Sequence, residues 1–281
     1  MKKILTFVLA ALLIVSAFTF AGCSSKADHS LEGIKKAGKL VVYTEAGFAP
    51  FEFISNGKVV GVDIAICEEI AKEIGVELEV KDVAFNTILG AIESGKCAIG
   101  AAGITITDER KEQVDFSMAY TTSKQYIVVK KDSEIKSYAD LAGKKIGVQL
   151  GTSSDFLITD AINGTTDDDG NHVKGDFEDT GATVSTYANP NIAATNLKDG
   201  KLDAVVTDKL PAEMIVKAND AYTCFEVVFE DGGLTDESYG LCVAKGNTEL
   251  LETINKVLEN LIETGKIDEF IVHYSNEVTA D

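Results

Sequence analysis

The chain has 281 residues, with 45 acidic and 26 basic side chains, which give a formal net charge of −19. A chain this acidic repels nucleic acid, so nucleic acid is not an expected partner. The length is sufficient for one large domain or for two smaller ones. No Cys-x-x-Cys spacing occurs and the three histidines are scattered, so we expect neither a zinc site nor a cofactor.

The first 22 residues have the pattern of a secretory signal peptide. Two lysines precede an apolar run over 4–20, and small residues follow it. The run is short for a membrane-spanning helix, and an uncleaved anchor is the alternative. Cys23 directly after Ala21-Gly22 resembles a bacterial lipobox, which implies cleavage before Cys23 and a lipid on its sulfur. Residues 23–30 are then expected to form a short polar tether.

The first half of the chain alternates strand patterns with helix patterns. A helix is predicted over 63–74, because Ile66, Ile70 and Ile74 share one face and a glycine follows. Asn56-Gly57 between two apolar runs predicts a two-residue hairpin. Strands are predicted at 39–44, 76–80 and 97–103, and a short helix at 86–94.

A second set of the same kind begins near residue 124. Strands are predicted at 124–131, 144–150, 182–187, 202–208, 223–229 and 239–245. Helices are predicted at 138–143, 191–200, 210–219 and 247–264. One further helix is predicted to begin near Ser153, and the last helix is predicted to end at about Tyr274. Alternation of this kind is typical of mainly parallel sheets flanked by helices. Two such sets predict an α/β protein with two lobes.

Polar residues follow four of the predicted strands. They are Glu45, Gly103 with Thr105, Thr152 with Ser153, and Asp208. Ligands of open parallel sheets bind outside the carboxyl ends of the strands. The sequence therefore predicts a ligand site at these four strand ends.

The segment "TITDER" at 105–110 places a cation where a helix disfavours it. Thr107 is a good N-cap, and Asp108 and Glu109 suit the first turn, whereas Arg110 opposes the helix dipole there. Arg110 either pairs with Asp108, Glu109 or Asp115, or holds an anion in a cleft. The segment by itself leaves both interpretations open.

Six motifs along the chain resemble the extracellular solute-binding proteins of polar amino acid ABC importers (family 3), and they occur in that family's order. They are "VVYTEAGFAPFEF", "GVDIAICEEIAKEIG", "GITITDERKEQVDFSMAY", "LAGKKIGVQLGTSSD", "LKDGKLDAVVTDKLPA" and "ESYGLCVAKGNTELLETINKVLENLIETGKI". The resemblance implies a type II periplasmic-binding-protein-like fold with the ligand between two lobes. It implies a first lobe at 31–126 and 235–281, and a second lobe at 127–234.

The resemblance also implies what the protein does. It would be an extracytoplasmic lipoprotein, held at the cell membrane by the lipid on Cys23, that captures a polar amino acid and delivers it to the permease subunits of the importer. We expect a monomer without catalytic activity. A dehydratase-like enzyme on the same fold and a ligand-sensing module are the alternative interpretations.

The resemblance assigns a role to each candidate site residue. Arg110 would bind the ligand's α-carboxylate, since a guanidinium grips both oxygens, and Ser153 with Thr152 would assist from a helix start. Thr105 would supply a hydroxyl near Arg110. Asp208 and the carbonyl of Gly103 would bind the α-ammonium. Phe48, Phe85 and Glu45 would face the ligand's side chain.

Several of these residues have a structural alternative. The two phenylalanines are also candidate core residues, and Asp208 is also a candidate helix cap. The acidic segment 163–181 is longer than the family pattern predicts. Part of a calcium-loop spacing is formed by Asp167, Asp169, Asn171 and Glu178, but His172 stands where glycine is needed. We therefore expect a solvated loop.

Two of the cysteines, Cys224 and Cys242, could form a disulfide, although buried free thiols are the simpler expectation.

Overall fold

The computed structural model describes residues 27–229 and 231–278. The predicted signal peptide at 1–22 and the predicted lipidation at Cys23 lie outside these residues. Within the described ranges, no helix combines the length and the apolar character needed to cross a bilayer.

Most helices correspond closely to the predicted ones, but the helix at Leu31–Ala37 was not predicted. The last helix continues three residues past Tyr274, and the predicted helix at 138–143 is a single 3₁₀ turn at Ala139–Leu141, similar to another at Phe85–Thr87. The α-helices in the described part of the chain are α1 (Leu31–Ala37), α2 (Val62–Ile74), α3 (Ile88–Glu93), α4 (Asp108–Gln113), α5 (Ser153–Asn163), α6 (Pro190–Lys198), α7 (Lys209–Ala218), α8 (Thr248–Glu263) and α9 (Lys266–Glu277).

The strands are short, and most lie within the predicted segments. In chain order they are β1 (Lys39–Thr44), β2 (Gly47–Phe48), β3 (Glu52–Ser55), β4 (Lys58–Val60), β5 (Glu77–Asp82), β6 (Ile99–Gly100), β7 (Val114–Phe116), β8 (Thr121–Ser123), β9 (Gln125–Lys130), β10 (Lys145–Gln149), β11 (Thr165–Thr166), β12 (His172–Val173), β13 (Thr183–Tyr187), β14 (Ala204–Asp208), β15 (Tyr222–Glu226), β16 (Glu237–Tyr239) and β17 (Cys242–Ala244). The predicted hairpin is confirmed, because Asn56 and Gly57 join β3 to β4 with φ values of 49° and 75°.

The first lobe is built on a sheet with the strand order β5-β1-β6-β17-β7. β1 is parallel to β5 and β6, whereas β17 runs antiparallel to both of its neighbours. Ile66 and Ile70 of α2 are fully buried and share one core with Ile254 and Leu258 of α8. A segment near the C-terminus therefore completes the core that the first hundred residues begin.

The second lobe is built on a sheet with the strand order β13-β10-β14-β9-β15. β10 is parallel to β13 and β14, whereas β9 is antiparallel to β14 and β15. β9 begins at Gln125, so this sheet starts two residues before the predicted start of the second lobe at residue 127. Both lobes are mixed α/β layers, which confirms the predicted fold class.

Two antiparallel strands, β8 and β16, connect the lobes. Thr121 pairs with Tyr239 and Ser123 pairs with Glu237 in this two-stranded ribbon. The chain passes from the first sheet to the second through β8 and returns through β16. A ribbon of this kind bends more easily than a packed core, so it is the natural hinge between the lobes.

The end of the predicted tether packs on the first lobe. Ser30 caps α1 by accepting a hydrogen bond from the Gly33 amide. The carbonyl of His29 accepts a hydrogen bond of 2.8 Å from Asn247, and its ring Nε2 lies 3.1 Å from the carbonyl oxygen of Gly95. The last two residues of the predicted tether, His29 and Ser30, are therefore attached to the first lobe.

The acidic segment 163–181 is only partly a solvated loop. β11 and β12 form an exposed hairpin in which Asp167 accepts hydrogen bonds from the amides of Asp169 and Asn171. Beyond the hairpin, Phe177 is only 2% exposed and packs on Tyr138 with ring centroids 4.8 Å apart. The loop prediction is therefore wrong at Phe177, because a large apolar ring gains more from burial than from exposure.

The four cysteines of the described residues are free thiols. Cys67, Cys97 and Cys242 are buried, and Cys224 is half-buried. Cys224 lies on β15 of the second sheet and Cys242 on β17 of the first. The alternative of a disulfide between them is wrong for this structure.

Candidate ligand-binding site

A small enclosed cleft lies between the lobes. Among its lining residues are all nine residues that the sequence predicted for the site, together with Ala102 and Gln149. The nine are Glu45, Phe48, Phe85, Gly103, Thr105, Arg110, Thr152, Ser153 and Asp208. The structure therefore brings the polar strand ends of both sheets to one place, although contact with a ligand stays a prediction.

Arg110 projects from the first turn of α4 into this cleft. The hydroxyl of Thr107 caps the helix by accepting a hydrogen bond from the Arg110 amide. The guanidinium is buried and donates to the carbonyl oxygens of Thr105 at 2.8 Å and Gly151 at 3.1 Å. Its carbon Cζ lies 5.6 Å from the centroid of the Phe85 ring. Arg110 therefore touches both lobes and keeps three of its five donors for another acceptor.

The alternative pairings of Arg110 do not occur. Asp108 pairs with Lys111 at 2.9 Å, and Asp115 pairs with Lys245 at 3.0 Å. Within the described ranges no carboxylate lies within ion-pair distance of the guanidinium. Burial lowers the pKa of Arg110, but a guanidinium remains charged. A buried cation without a close anion favours the interpretation in which an anion binds in the cleft.

Asp208 faces the cleft from the end of β14 in the second lobe. It occupies the N-cap position of α7, but its side chain makes no capping hydrogen bond. Its carboxylate accepts a hydrogen bond from the phenol of Tyr239. Burial, and after it the charge of Glu237, raise the pKa of Asp208 to about 7. Because a nearby positive charge would offset both effects, this carboxyl group suits a cation.

Glu45 closes the other end of the cleft. It is buried, and it accepts hydrogen bonds from Gln149 at 3.1 Å and Asn189 at 3.5 Å, both in the second lobe. Burial raises the pKa of Glu45 to about 7, and the charge of Asp82 adds to the rise. Glu45 and Gln149 therefore bring a carboxyl group and an amide group to the lining of the cleft, while the amide oxygen of Asn189 caps a helix at Ile192.

Gly103 lies directly against an aromatic wall. Its φ is +53°, and a Cβ atom at this position would come within 2.8 Å of the Phe48 ring. Phe48 is buried and packs on Phe51 in the first-lobe core, with ring centroids 6.0 Å apart. Phe48 therefore belongs to the core and also lines the cleft, while its contact with a ligand stays a prediction. Only glycine lets the backbone carry a polar group so close to the ring.

Two buried acids, Asp63 and Glu52, lie next to the backbone of Gly103 on the side of the first-lobe core. Asp63 accepts hydrogen bonds from the Gly103 amide at 2.9 Å and from the Tyr120 hydroxyl at 2.6 Å. Glu52 is fully buried beside it, and neither of its oxygens accepts a hydrogen bond from a donor of the described residues. Burial, and then the charge of Asp63, raise the pKa of Glu52 well above its usual range. Burial and the nearby charge of Asp63 therefore both favour the uncharged form of the Glu52 carboxyl group.

The helix α5 points its N-terminus at the cleft. Thr152 is its N-cap; the hydroxyl accepts from the Asp155 amide and donates to the carbonyl oxygen of Gln149 at 2.8 Å. Ser153 is the first helical residue, and its hydroxyl donates to Thr105 at 3.2 Å across the cleft. The first amides of a helix carry partial positive charge, so this end suits an anion.

Three polar residues near the site escaped sequence reasoning. Gln149 and Asn189 contact Glu45, and Glu237 on β16 accepts a hydrogen bond of 2.7 Å from Thr105. Gln149 is the last polar residue of the predicted strand at 144–150, which was a usable signal. Nothing in the local sequence pattern of Asn189 and Glu237 distinguishes them from surface residues.

In the described residues no group of His, Cys, Asp and Glu is arranged to hold a metal ion.

Comparison with known proteins identifies the family. Residues 40–277 match the model for "Bacterial extracellular solute-binding proteins, family 3". The arginine-binding extracellular protein ArtP of Bacillus subtilis is 31% identical, over 92% of this chain and 93% of its own. The ABC transporter glutamine-binding protein GlnH of the same organism is 32% identical, over the full length of both chains.

The fold agrees with a solved structure of the same kind. The amino acid ABC transporter substrate-binding protein AbpA from Streptococcus pneumoniae, bound to L-arginine, has a TM-score of 0.77 and 32% identity. The alignment covers 88% of this chain and 99% of that one. The chain is therefore a member of the bacterial extracellular solute-binding proteins, family 3.

Proposed function

We propose that this protein captures a free polar amino acid between its lobes and delivers it to the permease subunits of an ABC importer. The single observation that carries the proposal is the pairing of opposite charges in one cleft. Arg110 is a buried cation on the first lobe, and Asp208 is a buried carboxyl group on the second. An α-amino acid carries both complementary charges, so it would compensate the two groups at once.

We assign the α-carboxylate to Arg110 and to the N-terminus of α5 at Ser153, with Thr152 beside it. A guanidinium can donate two parallel hydrogen bonds to a carboxylate, and Arg110 has donors to spare. We assign the α-ammonium to Asp208 and the carbonyl oxygen of Gly103. These assignments place the two charged groups of the ligand at the same end of the cleft.

The ligand's side chain would then extend between Phe48 and Phe85 toward Glu45. Apolar parts of the side chain would contact the two rings, and its tip would meet the cluster of Glu45, Gln149 and Asn189. This cluster favours a tip that donates hydrogen bonds, such as the guanidinium of arginine or the amide of glutamine. A carboxylate tip would be repelled by Glu45. Arginine-binding and glutamine-binding relatives support this range.

Closure of the lobes would be the signal that the permease reads. Arg110 of the first lobe bonds Gly151 of the second, and Gln149 of the second bonds Glu45 of the first. In the part of the chain that the structure describes, the covalent connections between the lobes run through the ribbon of β8 and β16. A ligand that contacts both sides stabilises the closed arrangement over an open one.

We further propose that the protein is a monomer anchored by a lipid on Cys23 and that it catalyses no reaction. The sequence pattern before Cys23 supports the anchor. Glu45, a candidate acid or base in the cleft, is held by two amide side chains, which supports a binding role. Recovery of the bound amino acid unchanged after denaturation of a saturated sample tests the absence of catalysis.

Isothermal titration calorimetry on residues 24–281 tests the binding function. The twenty amino acids and cystine are titrated in turn at pH 8, and glutamate and aspartate serve as negative controls. We expect one or a few polar amino acids, arginine or glutamine first, to bind with one site per chain. Absence of binding by all of them would refute the proposed function.

A further inference from the structure

Glu237 contacts a residue of each lobe from its position on the crossing strand β16. Its Oε2 accepts a hydrogen bond of 2.7 Å from the hydroxyl of Thr105, which lies in the first lobe. Its Oε1 accepts a hydrogen bond of 2.9 Å from Nε2 of Gln125, at the start of β9 in the second lobe. The carboxylate is half-buried beside the cleft, and it is used as an acceptor at both oxygens.

The contact with Glu237 decides what the hydroxyl of Thr105 can offer to a ligand. A threonine hydroxyl has one proton and two lone pairs. The proton is donated to Glu237, and one lone pair accepts the hydrogen bond of 3.2 Å from the Ser153 hydroxyl. Thr105 therefore presents an acceptor to the cleft and has no proton left for a carboxylate. An ammonium group needs acceptors, so Thr105 belongs to the ammonium end of the site.

Neighbouring hydrogen bonds keep Glu237 in this role. The other end of the Gln125 amide accepts a hydrogen bond from Ser154, which turns the NH₂ group of Gln125 toward Glu237. Burial raises the pKa of Glu237, while the bonds from Thr105 and Gln125, and the charge of Arg110, oppose the rise. In the described chain no lysine or arginine forms a close ion pair with Glu237, so its charge acts on the cleft.

We propose that Glu237 is a positioning residue for the α-ammonium group of the ligand. It holds the Thr105 hydroxyl as an acceptor and places a second negative charge beside Asp208. The ammonium would then meet three acceptors, namely Asp208, the carbonyl oxygen of Gly103 and Oγ1 of Thr105. This inference rests on the proposed function, because it needs an amino acid in the cleft.

The test compares three probes that differ only at the α-carbon. L-arginine has both charged groups, agmatine lacks the carboxylate, and 5-guanidinopentanoic acid lacks the ammonium. We expect Glu237→Gln to weaken the binding of L-arginine and of agmatine by at least about tenfold, since each loses charge-assisted contacts. The affinity for 5-guanidinopentanoic acid should stay within about twofold of the wild-type value, or increase.

A second variant tests the hydroxyl itself. Thr105→Val keeps the shape of the side chain and removes the acceptor, so it should show the same selective loss. In the Thr105→Val background, Glu237→Gln should lose part of its effect, because the two residues act through one hydrogen bond. Glu226→Gln is the matched control. Glu226 bonds Lys124 at 2.7 Å outside the cleft, and its replacement should leave all three affinities unchanged.

Equal losses for all three probes would show that Glu237 only stabilises the fold, and an unchanged affinity for L-arginine would remove its role altogether. If Glu237→Gln does not fold, the affinities of Thr105→Val for the three probes test the proposal in its place. A selective loss for L-arginine and agmatine supports it, and equal losses for all three probes contradict it. Wild-type protein that binds no amino acid would refute the proposed function instead. If wild-type protein selects another amino acid, the amine and the desamino acid derived from it replace the arginine probes.

Discussion

The phenol of Tyr239 donates a hydrogen bond to the carboxylate of Asp208. Tyr239 is fully buried on the crossing strand β16, and Asp208 ends a strand of the second sheet. This bond connects the hinge to the carboxyl group that we assign to the ligand's ammonium. It also explains why Asp208 leaves α7 uncapped, because its carboxylate is turned toward the cleft.

Removal of either charged group that we assign to the zwitterion should greatly weaken binding. Arg110→Ala or Asp208→Ala would leave one charge of the bound amino acid buried without a partner. The loss is about 3–5 kcal/mol, which is a decrease in affinity of hundreds- to thousands-fold. Arg110→Lys should also bind more weakly, because an ammonium cannot make the bidentate contact. Calorimetric affinity and melting temperature are measured together.

The control for these variants is Lys111→Ala. Lys111 follows Arg110 in the same helix and forms an exposed ion pair with Asp108. Its replacement should change the affinity little. An α-amino amide should bind wild-type protein poorly and respond little to Arg110→Ala, because it lacks the carboxylate. A folded Arg110→Ala variant with nearly native affinity would falsify the assignment of the site.

Affinity should rise with pH between about 5 and 7 and then level off. The pKa of Asp208 is raised to about 7 by burial and by Glu237, so the group holds a proton in much of this range. An ammonium favours the ionised carboxylate, and binding therefore releases a proton. The affinity would increase by up to roughly tenfold per pH unit for each proton released.

Glu45 makes this pH dependence sensitive to the side chain of the ligand. Its pKa is also raised to about 7 by burial, and a guanidinium tip would displace its proton as well. L-arginine should then release more protons than L-glutamine. Calorimetry in buffers of different ionisation enthalpy measures the number released. A binding constant independent of pH from 5 to 8 would contradict both assignments.

The buried acid Glu52 should make the fold less stable at high pH. Burial and Asp63 raise the pKa of Glu52 in the folded state. Its contribution to the free energy of unfolding is therefore fully present below the pKa of the unfolded state and is lost as pH rises toward the pKa of the folded state. Glu52→Gln is neutral at every pH and should remove this decline. Urea unfolding of both proteins at pH 5, 7 and 9 measures the effect. Parallel declines in the two proteins would exclude Glu52 as the cause.

The exposed hairpin of the acidic segment should be dispensable for binding. Replacement of 166–172 by a Gly-Ser linker removes no residue that lines the cleft, so affinity and melting temperature should change little. Phe177→Ala gives the contrast, because loss of a buried ring typically costs about 3–5 kcal/mol of stability. A calcium-dependent melting temperature that disappears with the hairpin would contradict the interpretation as a loop.

Processing at Cys23 is tested independently of ligand binding. Cys23→Ala should release the protein from the membrane or mislocalise it, because the cysteine sulfur is the predicted site of the lipid. Ligand binding by residues 24–281 should be unaffected. Unchanged membrane attachment of Cys23→Ala would favour an uncleaved signal anchor.

Local sequence patterns determined most of the secondary structure and the family motifs. The spacing of Ile66 and Ile70 predicts α2, Thr107 predicts the start of α4, and Asn56-Gly57 predicts a hairpin. Each pattern depends on residues a few positions apart, which is the range over which backbone hydrogen bonds and turn geometry act. The motifs, through the resemblance, also located nine of the eleven residues that line the cleft.

Only the tertiary structure decided which partners these residues have. Gln149 bonds Glu45 across 104 positions of the chain, and Thr105 donates to Glu237 across 132. Whether Asp208 caps a helix or faces a cleft depends on where Tyr239 lies. Lobe packing fixes these contacts, and they set the direction of each hydrogen bond and the pKa of each buried acid. Short-range patterns carry no information on such contacts, because the free energy of a buried polar group depends on neighbours that the fold supplies.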